Sequence, residues 1–137
     1  MRPRVFITQP VARSAIERLR NVAEVDLNPD SLHIASKDEL VAAVRDHDIL
    51  YCLLHDRVDR DVIAANPGLR AVASMKITPS DIDVDAATAR RIPVTVIPPI
   101  VTEATADLNM ALLLAVARRV VQGDRLVRAG VFPGAQS

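Results

Sequence analysis

Lys76 is one of only two lysines, with Lys37, among 17 basic side chains. An ammonium at such a point can bind a carboxylate, and a desolvated one can act as a Schiff-base nucleophile or general base. The bland reading is a loop lysine in water, where ion pairs contribute little. His55, followed by Asp56, is the second candidate for chemistry, because a histidine shuttles protons near neutral pH. Its aspartate neighbour either orients it or simply begins the next turn. Cys52 lies in an apolar run, where a thiol is ordinarily inert packing. His33 and His47 fall in loop or helix-end contexts that assign them no chemistry. No His or Cys cluster has ligand spacing, so no metal site is expected.

The elements that must position these side chains alternate. Arg4–Thr8 reads as a strand, and Ile16, Leu19 and Val22 recur at helical spacing over 12–22. Val25 and Leu27 mark a second strand, stopped by Asn28-Pro29-Asp30. Ser36 and Glu39 form a capping box, which predicts a helix burying Leu40, Ala43 and Val44. The run from Asp48 to Leu54 is almost unbroken apolar, as a central strand covered on both faces requires. Asp59 caps a short helix to Ala65, Leu69–Ser74 supplies a fourth strand, Asp83 caps the helix 84–89, and Ile92–Ile97 gives a fifth strand ended by Pro98-Pro99.

Strands alternating with helices at these intervals predict an α/β fold, a doubly wound five-stranded parallel sheet with a long C-terminal helix. That helix runs from Thr102 to about Gln122, with Thr102 and Glu103 capping its start and Gly123 a possible break. The predicted division is a sheet unit over 1–100 and a helical arm over 101–137. In a parallel sheet ligands gather beyond the carboxyl ends of the strands. That rim collects Gln9, His55, Asp56, Ser74, Met75, Lys76, Thr78 and the segment 98–103.

Composition excludes several classes of function. The 17 basic and 17 acidic residues cancel, and Phe6, Tyr51 and Phe132 are the only aromatic side chains. Neither a basic field nor stacking platforms exist for nucleic acid. The longest fully apolar stretch, Met110–Ala117, is far short of the ~20 residues a bilayer requires. A single cysteine and the absence of a signal-like start predict a cytoplasmic protein with no internal disulfide and no membrane association. From Met110 to Val121 the helix is apolar on nearly every side, which predicts burial against a second copy of the chain or another protein.

The stretch Asp81-Ile82-Asp83-Val84-Asp85-Ala86-Ala87-Thr88, then Ile92-Pro93-Val94-Thr95, then Thr102-Glu103-Ala104-Thr105-Ala106-Asp107-Leu108 and the helix to Arg119, resembles the D-2-hydroxyacid dehydrogenase family, above all its glyoxylate and hydroxypyruvate reductase branch. Arg4–Thr8 and Leu126–Gly130 fit the same branch, so the resemblance spans essentially the whole chain. It implies a flavodoxin-like first domain that contributes the substrate pocket. It also implies a separate Rossmann domain that binds NAD(P) and supplies the catalytic arginine, glutamate and histidine, none of which maps onto this sequence. The glycines, Gly68, Gly123, Gly130 and Gly134, form no Gly-x-Gly-x-x-Gly after any predicted strand, so no cofactor-binding residues are assigned.

Two loops depart from the family pattern. Where its members carry Gly-Val-Gly, whose backbone amides hold the substrate carboxylate, this chain has Lys76, Ile77 and Thr78. The stretch Ser74, Met75, Lys76, Ile77 and Thr78 is therefore the expected substrate-binding loop, with side chains where bare backbone is usual. The strand end that usually reads Asn-Thr-Pro-Gly is Val96-Ile97-Pro98-Pro99.

The resemblance implies the substrate-binding domain of an NAD(P)-dependent D-2-hydroxyacid dehydrogenase-like protein, which without the cofactor domain is not an autonomous dehydrogenase. The alternatives are a truncated homologue that binds or transforms a small carboxylate without NAD through Lys76 and His55, and a structural subunit, homodimeric or paired with a partner, that associates through the helix 102–122.

Overall fold

Short runs of β-branched and aliphatic residues form the five strands, and the computed structural model describes residues 2–131 and 134. The strands are β1 (Arg4–Ile7), β2 (Glu24–Leu27), β3 (Ile49–Cys52), β4 (Ala71–Ser74) and β5 (Val94–Thr95). They alternate with α1 (Arg13–Arg20), α2 (Lys37–Arg45), α3 (Arg60–Ala64) and α4 (Val84–Ala89). All pair in parallel, in the order β2-β1-β3-β4-β5. The backbone falls into two units, Met1–Pro98, which holds the sheet, and Pro99–Ser137.

Alternation along the strands sends side chains to two apolar layers. On one face Val5 and Ile7 pack with Ile16 and Leu19 of α1 and with Ile49 and Tyr51. On the other, Leu50, Cys52 and Val72 meet Leu40 and Val44 of α2, Val62 and Ile63 of α3 and Ala87 of α4. Val44, Leu50, Val62, Ile63 and Val72 are fully buried, each worth roughly 1.5–3 kcal/mol of transfer free energy. The doubly wound sheet is therefore present.

Local chemistry sets the helix starts in this unit. The Ser36 hydroxyl accepts from the Glu39 amide, and the Glu39 carboxylate accepts from the Ser36 amide in return. The carboxylates of Asp59 and Asp83 accept amides at the starts of α3 and α4. Val22, expected on the buried face of the first helix, is instead 64% exposed, because α1 ends at Arg20. The fifth strand is shorter than its apolar run. Pro93 offers only its carbonyl, to Val72, while the Ile92 amide turns back to Ala87.

In the second unit, α5 (Thr102–Ala117) and α6 (Val120–Arg128) replace one continuous helix. The break falls at Arg119, whose φ of 53° is left-handed, and Gly123 donates to Arg119 from within the first turn of α6. A left-handed non-glycine residue costs on the order of 1–2 kcal/mol, so it marks a real interruption. Thr102 and Glu103 do not cap α5 with their side chains. Val101 enters the helix in right-handed geometry from a turn closed by the Thr102 amide on Pro99, which leaves the Thr102 hydroxyl without the extended cap position. The end of the expected arm, residues 132–133 and 135–137, lies outside the described residues.

Candidate functional site

The parallel sheet directs the carboxyl ends of its strands to one rim, and the loops after β3 and β4 sit side by side because Cys52 and Ser74 are in register. His55 follows the first strand and Lys76 the second.

The Lys76 loop is held by backbone bonds on both sides. Met75 donates its amide to Cys52 at 3.1 Å, Lys76 donates its amide to the Ser74 hydroxyl at 3.1 Å, and the Lys76 carbonyl accepts from Ile97 at 3.0 Å. Ser74 is only 4% exposed, so its hydroxyl shapes the loop from beneath. Ile77 is 44% exposed, and Thr78 is exposed with its hydroxyl turned to Ser80. The Lys76 side chain is itself only 14% exposed, and its ammonium is paired with the Asp81 carboxylate. A loop lysine in open water does not describe it. Asp81 is held below its ordinary 3.8, first by the hydrogen bond from Lys76.

His55 is exposed and lines a cavity of about 440 Å³ with Ala35, Lys37, Leu40, Arg57 and Asp59. Lys76 does not line that cavity. Asp56 does not orient His55 either. It turns inward, 3% exposed, and accepts from the Thr8 hydroxyl and from the Leu53 amide at 2.7 Å. This fastening sits between β1 and β3, where the strand order reverses.

His47 is a structural group. Its ring nitrogens face the Ala43 carbonyl at 2.6 Å and the Asp26 carboxylate at 2.9 Å, and the ring lies 5.3 Å from that of Phe6. His33 pairs with Glu39 on the surface. Burial pushes the Cys52 thiol up to about 11, leaving it protonated near neutrality. Among the described residues no group of three His, Cys, Asp or Glu converges as a metal would require.

Sequence reasoning missed two partners. Asp81 is five residues from Lys76 and read only as part of the Asp-Ile-Asp stretch, though a lone lysine before an acidic turn was a usable signal. Thr8 and Asp56 are 48 residues apart, and only the parallel register brings them together.

The glycines do not sit where a dinucleotide-binding turn places them. None of the glycines follows a strand: Gly68 precedes β4, Gly123 lies in α6, and Gly130 and Gly134 follow α6. Close backbone approach at a strand-to-helix turn is what such a cofactor requires.

A parallel sheet in the order 2-1-3-4-5, with Lys76 in the loop beyond β4, defines a doubly wound α/β domain. The chain belongs to the D-isomer specific 2-hydroxyacid dehydrogenase family, whose catalytic-domain model it matches over residues 5–123. It is 42% identical over 130 residues to a glyoxylate reductase of Thermococcus kodakarensis, covering 95% of this chain and 39% of that protein. A glyoxylate reductase of Korarchaeum cryptofilum is 43% identical over 130 residues, again 95% of this chain and 39% of the relative. Among solved structures, a Thermus thermophilus protein superposes with a TM-score of 0.82 at 37% identity, over 97% of this chain and 42% of its own. An NADPH-dependent glyoxylate/hydroxypyruvate reductase of Sinorhizobium meliloti, in complex with NADP and malonate, gives a TM-score of 0.65 at 28% identity over 97% of this chain and 42% of its own. The chain thus spans about two fifths of the length of these relatives. No helix among the described residues is long and apolar enough to cross a membrane.

Proposed function

We propose that these residues form the acid-binding part of an NAD(P)-dependent D-2-hydroxyacid dehydrogenase, with the loop Ser74–Thr78 receiving a small 2-oxo or 2-hydroxy acid. The observation that carries this reading is the largely covered Lys76 side chain at the carboxyl end of β4, 14% exposed, with its ammonium already engaged with a carboxylate. Coulombic attraction between an ammonium and an anion is screened less where the surroundings hold less water, and a side chain already largely covered has less water left to lose when the anion arrives. Relatives named glyoxylate reductases, and a structural neighbour crystallised with malonate, support a one- or two-carboxylate ligand of that size.

Hydride transfer, in this reading, draws on a dinucleotide held outside these residues, which lack a glycine-lined seat for it. Lys76 supplies charge and orientation to the acid, and Ile77, 44% exposed, gives that side of the site an apolar surface. His55 lines a cavity that does not include Lys76, and proton transfer by His55 is not needed for the acid to be held. Cytoplasmic location belongs to the same reading, on the evidence of one buried cysteine.

A second copy of the chain is the proposed cover for α5. Leu108, Met110, Leu112, Leu113, Leu114 and Val116 are all more than half exposed around that helix, an apolar surface that water does not favour.

The direct test is a glyoxylate titration of the 137-residue chain followed by amide resonances. Perturbations centred on Met75–Thr78 are expected. Saturable binding whose perturbations map only to the His55 cavity would overturn the assignment.

A further inference from the structure

Resting on the reading of Lys76 as the anion receptor, we propose that Asp81 is a positioning residue that occupies Lys76 as an internal counter-anion. The substrate's carboxylate then binds by exchange with it.

Both residues have fixed backbones. Lys76 is tied through its amide to Ser74 and through its carbonyl to Ile97. The Asp81 carbonyl accepts from Val58 at 2.8 Å, and the neighbouring bridge between Val58 and Ile82 locks the same turn to the loop after β3. Exchange therefore needs no loop movement, only rotation of the Asp81 side chain.

The two partners are unequally buried, and this sets which one moves. The Lys76 side chain is 14% exposed and that of Asp81 46%. A released Asp81 carboxylate turns into water. The Lys76 side chain, largely covered by its loop, keeps its charge without a counter-anion when Asp81 leaves, which is the costlier state of the two. The loop thus favours having an anion on Lys76 at all times, whether Asp81 or a ligand. The Asp81 oxygen that pairs with Lys76 also accepts from Ser80 at 3.3 Å, and the charge of Arg57 acts on the carboxylate, though more weakly than Lys76 does.

Intramolecular competition lowers apparent affinity by the fraction of Lys76 that is free. If Asp81 holds Lys76 nine-tenths of the time or more, Asp81→Asn should bind glyoxylate roughly tenfold tighter or better. The device makes the site selective for acids that outcompete a tethered carboxylate.

The test uses the same chain with glyoxylate as the probe, followed by amide and carboxyl resonances. Three results are expected. Asp81→Asn binds at least tenfold more tightly than wild type; the gain disappears in Asp81→Asn/Lys76→Met; and in the wild-type chain saturation with glyoxylate moves the Asp81 carboxyl titration back up toward its ordinary range. A merely structural Asp81 would not titrate differently with ligand bound. Equal affinity of wild type and Asp81→Asn, both dependent on Lys76, would overturn the exchange and leave Lys76 as receptor. Folded variants that bind no glyoxylate at all would overturn both.

Discussion

Asp56 accepts a hydrogen bond from the Thr8 hydroxyl across 48 residues of chain, and with the Leu53 amide this ties the ends of β1 and β3 together. In open parallel sheets the crevice where strand order reverses is the usual ligand position. Here the Thr8 hydroxyl and the Leu53 amide are both turned onto Asp56, so these three polar groups are engaged with one another. Thr8→Val should therefore destabilise the fold by about 1–3 kcal/mol, since a buried carboxylate loses a donor. Urea unfolding would show a lower midpoint at unchanged slope. An unchanged midpoint would mean that the bond contributes nothing.

Acid sensitivity follows from carboxylates tied to bases. Asp26 is held below its ordinary 3.8 first by the hydrogen bond with His47, and Asp59 likewise by Lys37. A group depressed in the folded state contributes stability that is complete above its unfolded value and lost as pH falls through the folded one. The stability gap between wild type and Asp26→Asn should thus be full near pH 5 and close below about 3.8. Urea titrations at stepped pH measure it, and a gap that widens in acid would contradict the pairing.

The proposed cover of α5 makes a hydrodynamic prediction. Sedimentation should give a dimer, and Leu113→Glu, placing a charge at a 61% exposed leucine, should convert it to monomer without loss of helix content. A wild-type monomer at high concentration would remove the second copy from the account.

Dinucleotide binding is expected to be absent from these residues alone. NADH added to the 137-residue chain should show no saturable change in its fluorescence up to the millimolar range. Saturable binding would place a pyrophosphate seat where no glycine follows a strand.

The sheet was legible because its determinants are local. The apolar run around Leu50 and Cys52, the Ser36–Glu39 capping box and the caps Asp59 and Asp83 each encode their element within a few residues. The extent of β5 was not, because Ile92 and Ile97 are apolar for reasons of packing and loop closure rather than strand pairing. Nor was the break in the last helix. Glycine marks the positions where left-handed backbone is easy, yet the chain bends at Arg119 and keeps Gly123 helical. At the site, the unusual Lys76 was visible by its rarity, while its burial and the Asp81 carboxylate upon it belong to three-dimensional closure of the loop.

The most direct measurement is calorimetric titration of glyoxylate into the wild-type chain and Lys76→Met. Methionine fills the lysine's enclosed stem without its charge, so the fold should persist. Binding at least tenfold weaker in Lys76→Met is the predicted result. Equal affinity in the two proteins would contradict the account, because the acid would then be held by something other than this ammonium.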